Sequence, residues 1–355
     1  MQQRLLSALV LSIWGLGAPP IVWGLDIPAT PPSPTRLGPQ ELAVIINDLD
    51  PFSRKIGEYY QAQRHIPETN IIHVRFEPGN SNLPRAEFNR LKAIVDHKTP
   101  PWIQAYALTW AAPYRVDCMS ITTAFAAGFD QRFCATGCGP TRLSPYFNLT
   151  NGAPYSRHKI RPTMALAGKD LDQVRKLIDR GVASDGTFPA GVGYLLKTTD
   201  KERSVRSNFY PDIRKFLGKR IDLRFIDADY IEDRKNILFY FTGSADVQRI
   251  GTNQFLPGAI ADHLTSSGGL LIDSNQMSSL RWLEAGATGS YGTVVEPCNF
   301  LQKFPHPGIL IERYLRGETL VEAYWKSVAW PGQGIFIGEP LAAPFRLSTK
   351  PLSGN

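Results

Sequence analysis

The sequence predicts an α/β protein with a mainly parallel, doubly wound sheet and flanking helices. Short apolar runs alternate along the chain with amphipathic segments of helical spacing, as in folds built from successive βα units. Two late apolar runs are followed at once by Glu-Pro, at Glu296-Pro297 and Glu339-Pro340, and proline cannot continue a central strand. Each Glu is therefore expected at a strand's carboxyl end, the edge where open α/β sheets bind ligands.

The first half of the chain predicts strands and helices in strict alternation. The run at 42–46 is apolar without interruption, which is typical of a strand buried on both faces. The apolar and aromatic positions within 51–64 recur every three or four residues, as in a helix. The predicted elements here are strand 42–46, helix 51–64, strand 71–76, helix 85–97 and strand 103–110.

A long irregular segment, 112–161, then interrupts the alternation. It holds three of the four cysteines and many glycines and prolines, and loops of this length inside compact domains are usually functional. The alternation resumes after it. The later predicted elements are strand 163–167, helix 170–180, strand 192–196, helix 204–217, strands 222–226 and 237–241, helix 257–264, strand 269–272, helix 278–285, strand 289–295, helix 308–328 and strand 334–337.

These elements predict an N-terminal and a C-terminal α/β lobe. The predicted divisions are a signal peptide at 1–24, a proline-rich linker at 25–40, an N-terminal α/β lobe at 41–165 containing the 112–161 loop, a C-terminal α/β lobe at 166–345 and a tail at 346–355.

The N-terminus indicates export. Arg4 is the only charged residue among the first 24, and the apolar stretch at 5–17 is shorter than the roughly 20 residues that span a bilayer. This pattern is typical of a secretory signal, which predicts a periplasmic or extracellular protein. The segment Val22-Trp23-Gly24 lacks the pair of small residues that usually precedes a cleavage site, so an uncleaved membrane anchor is the alternative.

Composition argues against nucleic acid as a partner. The 355-residue chain carries a formal charge of +7, but its basic residues are scattered and no run of five or six occurs. Scattered cations indicate a solvated basic surface. An envelope ligand or protein is the expected partner, with a membrane only if the signal is uncleaved.

The four cysteines predict disulfides, since an even count behind an export signal favours pairing. Cys134 and Cys138 lie close together in a loop and are predicted to pair with each other. Cys118 and Cys298 either pair or stay buried as thiols. The spacing fits neither a zinc site nor haem attachment, so no metal or cofactor is predicted.

Candidate functional residues are polar groups that follow apolar strands. Carboxylates within reach of one another can hydrolyse glycosides by acid–base catalysis, and arginine forks bind carboxylates or phosphates. Asp50, which precedes Pro51, also fits a helix N-cap. The catalytic candidates are Asp48, Asp273, Ser274, Glu296 and Glu339, and the ligand-binding candidates are Asn47, Asp50, Arg203, Arg206 and Ser244.

The span 42–344 resembles an uncharacterised family of exported bacterial proteins. The segments that carry this resemblance are Val44-Ile-Ile-Asn-Asp48, Tyr59-Tyr60, Arg64-His-Ile-Pro67, Arg161-Pro-Thr-Met164, Asp179-Arg-Gly181, Thr199-Asp200 with Arg203 and Arg206, and the block from 287 to 344.

More remotely, the second half resembles cysteine peptidases of the caspase and gingipain type. In those, one strand ends in Gly-His-Gly, the next ends near the nucleophilic cysteine, and a late strand ends in Gly-Asp-Pro. Here Gly338-Glu-Pro340 matches the late element, with Glu in place of Asp. Ser244 stands in place of the histidine, and Asp273 or Ser274 in place of the cysteine. The resemblance therefore implies a caspase-like fold without the catalytic dyad.

Two functions follow from these observations. The first is an exported binding or scaffold protein on a degenerate caspase-like fold. The second is a carboxylate-dependent hydrolase of envelope glycans or peptides. The sequence lacks the Gly-x-Ser-x-Gly motif of α/β-hydrolases and the His-Glu-x-x-His motif of zinc metalloproteases. The binding function is preferred.

The signal-like N-terminus predicts that roughly the first 24 residues are removed on export. Cell fractionation followed by N-terminal sequencing checks this expectation. A full-length product in the cytoplasm would contradict it.

Overall fold

One ten-stranded sheet organises the chain in the computed structural model, which describes residues 37–135 and 137–347. A separate two-stranded hairpin, β4–β5, lies in the segment between β3 and β6. The strands are β1 Leu42–Asn47, β2 Ile71–Val74, β3 Ala105–Leu108, β4 Arg115–Val116, β5 Met119–Ser120, β6 Thr163–Ala165, β7 Val192–Lys197, β8 Asp222–Asp227, β9 Ile237–Gly243, β10 Phe255–Leu264, β11 Gly289–Thr293 and β12 Gly334–Gly338.

The strand order in the main sheet is β2-β1-β3-β6-β12-β11-β10-β9-β7-β8. All neighbouring strands are parallel except β11 and β12, which are antiparallel and pair Gly289 with Gly338 and Thr293 with Gly334. The sheet is thus two parallel halves of opposite direction, and their carboxyl ends lie at opposite edges. The edge formed by β1, β3, β6 and β12 is called the first edge here, and that formed by β7, β9, β10 and β11 the second edge.

Helices cover both faces of the sheet. The helices are α1 Pro51–Arg64, α2 Arg85–Lys98, α3 Ile121–Ala127, α4 Pro154–His158, α5 Leu171–Ser184, α6 Tyr210–Leu217, α7 Leu280–Glu284, α8 Pro307–Leu315 and α9 Leu320–Ser327. Along β1, Val44 and Ile46 pack in one core cluster while Ala43 and Ile45 pack in another, so both faces are buried. The predicted mainly parallel α/β sheet with flanking helices is confirmed.

Two of the predicted elements near residue 260 are wrong. Residues 257–264 are the second part of strand β10 rather than a helix, and 269–272 form a turn rather than a strand. The segment 259–264 is buried throughout between β9 and β11, so it has no polar face for a surface helix. Its one carboxylate, Asp262, is neutralised inside the protein by Arg206.

The predicted single helix at 308–328 is also wrong, because it consists of two helices, α8 and α9. Helix α8 ends at Leu315, and Gly317 follows it with a positive φ of 80°. A Cβ at Gly317 would lie 2.8 Å from the Phe345 carbonyl oxygen. Thr319 then caps α9, reciprocally with Glu322. Two helices return the chain to the edge where β11 ended, and β12 therefore runs antiparallel to β11.

The sheet is continuous across the predicted boundary between the lobes. β12, from the C-terminal lobe, inserts beside β6 of the N-terminal lobe and pairs Ile337 with Ala165. The predicted signal peptide, most of the linker and nearly all of the tail lie outside the described residues. None of the described helices has the length and hydropathy that a bilayer-spanning helix needs.

The disulfide pairing differs from the prediction. Cys134 pairs with Cys118, and Cys138 pairs with Cys298, with Cα–Cα distances of 5.4 and 5.6 Å. Cys134 and Cys138 are close in sequence, but the chain directs one to the turn of the β4–β5 hairpin and the other to the loop after β11. Two disulfides fit the oxidising compartment that export would supply.

A buried ion pair joins α1 to the end of β12. Glu339 is fully buried, and its carboxylate accepts from Arg64 through Nε at 3.0 Å and through Nη2, and from the Tyr60 hydroxyl at 2.6 Å. Arg64 also pairs with Asp185. Burial alone would lower the pKa of Arg64, but Glu339 raises it above the usual arginine value. A Cβ at Gly181 would lie 2.6 Å from the Glu339 side chain, so this pair leaves no room for a larger residue.

Glu339→Gln is expected to lower the free energy of unfolding by about 3–5 kcal/mol, because it removes the buried partner of Arg64 and leaves that charge only the partly exposed Asp185. The double variant Arg64→Met/Glu339→Gln should lose less, since no uncompensated charge remains. Urea unfolding measures both. The exposed pair Asp172–Lys176 is the control, and Asp172→Asn there should not change stability measurably. Equal effects for Glu339→Gln and Asp172→Asn would contradict the structural role.

Candidate functional site

The sequence-predicted residues do not gather at one edge, because the sheet changes direction between β11 and β12. Asn47, Asp48, Asp50 and Glu339 follow strands of the first edge. The other candidates follow strands of the second edge, and they are Arg203, Arg206, Ser244, Asp273, Ser274 and Glu296. Glu296 and Glu339, both expected at the edge where the sheet binds ligands, therefore lie at opposite edges, and that expectation is wrong.

The first-edge candidates are occupied by structural contacts. The buried Asn47 side chain bonds both the N–H and the carbonyl of Phe76, across a neighbouring strand. Asp48 lies 2.6 Å from His73 Nδ1, and Asp50 accepts the Phe52 N–H at 2.9 Å as the N-cap of α1. Together with the buried Glu339 pair, these contacts tie helices and strands to one another.

Asp273, Ser274 and Ser244 lie in loops beyond the second edge and also bond other groups of the protein. Asp273 accepts the Tyr114 hydroxyl, which burial and this carboxylate raise to a pKa of about 12. Ser274 donates to the Ser267 carbonyl at 2.9 Å, and Ser244 donates to the Asp246 carbonyl at 2.7 Å. The two serine contacts hold turns, and the Asp273–Tyr114 contact joins the loop after β10 to the segment after β3.

Arg206 is inside the protein rather than in a site. It is 2% exposed and pairs with Asp262, which is 1% exposed, while its Nη2 donates to the Thr242 carbonyl at 2.7 Å. Burial raises the pKa of Asp262, and Arg206 opposes that shift. The pair neutralises the only carboxylate within β10, so Arg206 cannot reach a ligand.

Arg203 and Glu296 do line a common cleft at the second edge. This cleft has a volume of about 440 Å³ and lies outside the carboxyl ends of β10 and β11. It is called the second-edge cleft here. Its lining residues are Cys138, Glu202, Arg203, Leu264, Thr265, Ser266, Glu296, Cys298 and Asn299.

The cleft lies beside a switch point of the sheet. The parallel strands of this half have the order β8-β7-β9-β10-β11. From β7 the chain first adds β8 on one side and then β9, β10 and β11 on the other, so the strand order reverses between β7 and β9. A helical turn at 204–209 packs against the end of β9 at this point. The contact is so close that a Cβ at Gly243 would lie 1.9 Å from the Arg203 carbonyl oxygen. The close approach places Arg203 over the end of β10. Its Nε donates to Thr265 Oγ1 at 3.1 Å, and its Nη1 donates to Asp200 at 2.8 Å.

The wall opposite Arg203 is the loop that follows β11. Glu296 is exposed and accepts the Cys298 N–H at 2.7 Å, and Gln333 Nε2 donates to the Glu296 carbonyl at 2.6 Å. Cys298 has a positive φ of 54° and is bonded to Cys138. The disulfide spans 160 residues of sequence, and such long closures restrict the chain most. The wall is thus held to the rest of the protein by a covalent link.

Charge in the cleft is predominantly negative. Glu202 and Glu296 are exposed carboxylates, and Asn299 donates to Glu202 at 2.8 Å. The one lining cation, Arg203, is already paired with Asp200. Lys303 does not line the cleft; it is buried, and burial lowers its pKa while Glu296 opposes that shift.

Neither a histidine nor a free thiol lines the cleft. The nearest histidine in sequence to Thr265 is His263, which is 1% exposed on β10. Its Nε2 lies 3.0 Å from the Met277 carbonyl, and its Nδ1 accepts from Trp282 Nε1 at 2.9 Å. Burial lowers the pKa of His263 to about 3, so this imidazole is neutral and enclosed. Both cysteines of the cleft are oxidised, so neither is a thiolate.

Sequence reasoning missed Thr265, Ser266, Glu202 and Asn299. Thr265 and Ser266 follow β10, whose strand character was misread as a helix. The sequence feature that indicates a strand here is the apolar run 259–261. Gly258, directly before it, disfavours a helix because glycine has a low helix propensity. Among the described residues no group of three or more His, Cys, Asp or Glu side chains could hold a metal ion.

Comparisons of the chain with models of known protein families, with curated proteins and with solved structures find no match.

Acid is expected to destabilise the protein through His263. The folded-state pKa of about 3 lies below the unfolded value of about 6.5. Between these values the unfolded chain binds one more proton, so stability present above pH 6.5 falls as the pH falls, by up to about 5 kcal/mol once the pH is below 3. His263→Gln should remove one proton from the pH slope of unfolding, measured by urea titration from pH 7 to 4. The exposed His97→Gln should leave the slope unchanged, and equal slopes for wild type and His263→Gln would contradict a buried neutral imidazole.

Proposed function

We propose that this chain is an exported, non-catalytic binding protein whose ligand occupies the second-edge cleft. The observation that supports this most is the composition of the cleft. Polar hydroxyls, two exposed carboxylates and one paired arginine surround an open volume, while a thiolate and a basic histidine are missing from its lining. Such a lining can hold a ligand by hydrogen bonds and charge, but it lacks the activated nucleophile that acyl transfer needs.

The resemblance to caspase and gingipain peptidases supports the same conclusion. In that comparison the nucleophile follows the strand after the one that ends near histidine. The strand after β9 is β10, which ends at Leu264, so by this resemblance Thr265–Ser266 would be the nucleophile position, and Asp273–Ser274 lie in the loop beyond it. Ser244, at the histidine position, is bonded within its own turn. A peptidase-like framework with hydroxyls at both dyad positions supports a ligand site retained without the reaction.

The alternative of a carboxylate-dependent hydrolase has weaker support. That mechanism needs two carboxylates that face one ligand across about 5–10 Å. The four predicted catalytic carboxylates, Asp48, Asp273, Glu296 and Glu339, are distributed over both edges. Of these, Asp48, Asp273 and Glu339 are each held in a structural contact. Of these only Glu296 lines the cleft. Glu202 also lines it, but both carboxylates are exposed, whereas a general acid needs burial to raise its pKa.

The charge of the cleft indicates the ligand class. Glu202 and Glu296 are exposed, and the guanidinium of Arg203 is already neutralised by Asp200. An anionic ligand would meet two carboxylates, whereas a ligand with an ammonium or guanidinium group would be attracted by both. We therefore infer a cationic ligand, such as a basic side chain of an envelope peptide. The periplasm or the extracellular medium is the compartment where this protein would meet it.

Binding of acetyl-Gly-Arg-Gly-amide, measured by isothermal titration calorimetry, tests the proposal. Glu296→Gln and Glu202→Gln should each raise Kd about tenfold, because each removes one charged partner of the cation. The exposed Glu77→Gln, in a different cleft lined by Asn80 and Glu87, is the matched control and should leave Kd unchanged.

The same peptide with Glu in place of Arg should not bind. If the Arg peptide does not bind wild-type protein, or if Glu77→Gln weakens it as much as Glu296→Gln does, the proposed site is wrong. Turnover of the peptide that is lost in Ser266→Ala would contradict the non-catalytic role.

A further inference from the structure

A basic, aromatic corner stands at the end of the sheet, where α6 leads into β8. Phe216, near the end of α6, is 68% exposed, the same fraction as Leu347 and the highest among the large apolar side chains described. Four exposed cations flank it within seven residues of sequence. They are Arg214, Lys215, Lys219 and Arg220, and with Phe216 they are called the Phe216 corner.

These cations have no acidic partner within ion-pair distance among the described residues. The nearest carboxylates in sequence are Asp212, which is exposed on α6, and Asp222, which pairs with Arg224. Two of the cations instead lie over aromatic rings, Arg214 at 4.6 Å from the Phe225 centroid and Lys215 at 5.5 Å from that of Phe216. Other surface cations of this protein, such as Lys176 and Lys169, do have carboxylate partners. The corner therefore presents an unneutralised positive charge around an exposed ring.

The apolar surface continues from Phe216 into a groove between α6 and α8. This groove has a volume of about 320 Å³ and is lined by Ile213, Leu217 and Ile309 as well as Phe216. Its rim includes Arg316, which is held by Glu312. The charged side chains that line the groove balance one another, since Arg313 and Arg316 face Glu312 and Asp212, so the unpaired cations lie outside the groove and next to Phe216 in sequence.

We propose that the Phe216 corner docks the protein on a bilayer surface that contains anionic lipids. The positive charge complements lipid phosphates, and the exposed ring has the size and polarity that favour the headgroup–acyl boundary. The cations lie on the outer end of a helix and on the turn after it, on both sides of a protruding ring. That arrangement fits a broad charged plane, into which Phe216 inserts. An acidic peptide would instead need a bounded channel with charges along it, and the cations do not line the groove.

Docking is independent of the second-edge cleft and of any N-terminal anchor. Co-sedimentation of the full chain with vesicles of phosphatidylglycerol and phosphatidylcholine, against phosphatidylcholine alone, measures it. All variants share one N-terminus, so differences among them report the corner. Lys215→Glu/Lys219→Glu should lower the partition coefficient at least 20-fold, at about fivefold for each cation lost. Phe216→Ala should lower it about tenfold.

Matched controls lie at the other end of the sheet, near β1 and β2. Lys55→Glu/Arg75→Glu makes the same charge change at exposed cations, and Trp102→Ala removes a ring that is 54% exposed. Both should leave partitioning within twofold of wild type. Salt should weaken wild-type binding and spare the residual binding of the Lys215→Glu/Lys219→Glu variant.

Three outcomes would overturn the proposal. They are failure of the wild type to bind anionic vesicles, equal loss in the control and corner variants, and binding that is the same with neutral vesicles. Binding of poly-glutamate by the corner without binding of vesicles would also overturn it, and would identify an acidic protein segment as the partner.

Discussion

The antiparallel pairing of β11 with β12 determines what every strand end in this protein can do. It follows from the break at Gly317, because two helices return the chain to the edge it had just left, whereas one helix would deliver it to the other. An L-residue at this position would meet both an unfavourable φ and the backbone of Phe345. With the reversal in place, carboxyl ends are divided between two edges, and polar residues of similar sequence context acquire different environments.

The two Glu-Pro segments illustrate the division. Glu339 ends β12 at the first edge, where α1 and α5 close over it, and its charge is balanced by Arg64 within the core. Glu296 follows β11 at the second edge, where the loop is held by Cys138–Cys298 and the carboxylate stays exposed. A buried pair that loses one partner is costly, whereas an exposed carboxylate is free to meet a ligand. The first therefore stabilises the fold and the second is available for binding.

Local patterns predicted most of the fold and only part of the site. Helix α1 follows from Asp50-Pro51 and its apolar spacing, and its bounds were predicted to the residue. Strand β10 was missed because Asp262 and His263 make a buried strand look amphipathic, and only the tertiary partners Arg206 and Trp282 reveal how they are satisfied. Gly317 followed by Thr319-x-x-Glu322 is a sequence pattern that favours the end of one helix and the start of another, and it indicates two helices in 308–328. Disulfide pairing and the edge at which each strand ends depend on topology. The sequence therefore predicted Arg203 and Glu296 as candidate residues, but it could not predict that they line the same cleft.

The crystal structure of the protein with acetyl-Gly-Arg-Gly-amide bound tests this account most directly. The account predicts the guanidinium at the second edge, between Glu202 and Glu296, with the Glu339–Arg64 pair unchanged. Peptide density at the first edge, in contact with Asp48 or displacing Arg64 from Glu339, would contradict the division of the two edges into a binding site and a structural one.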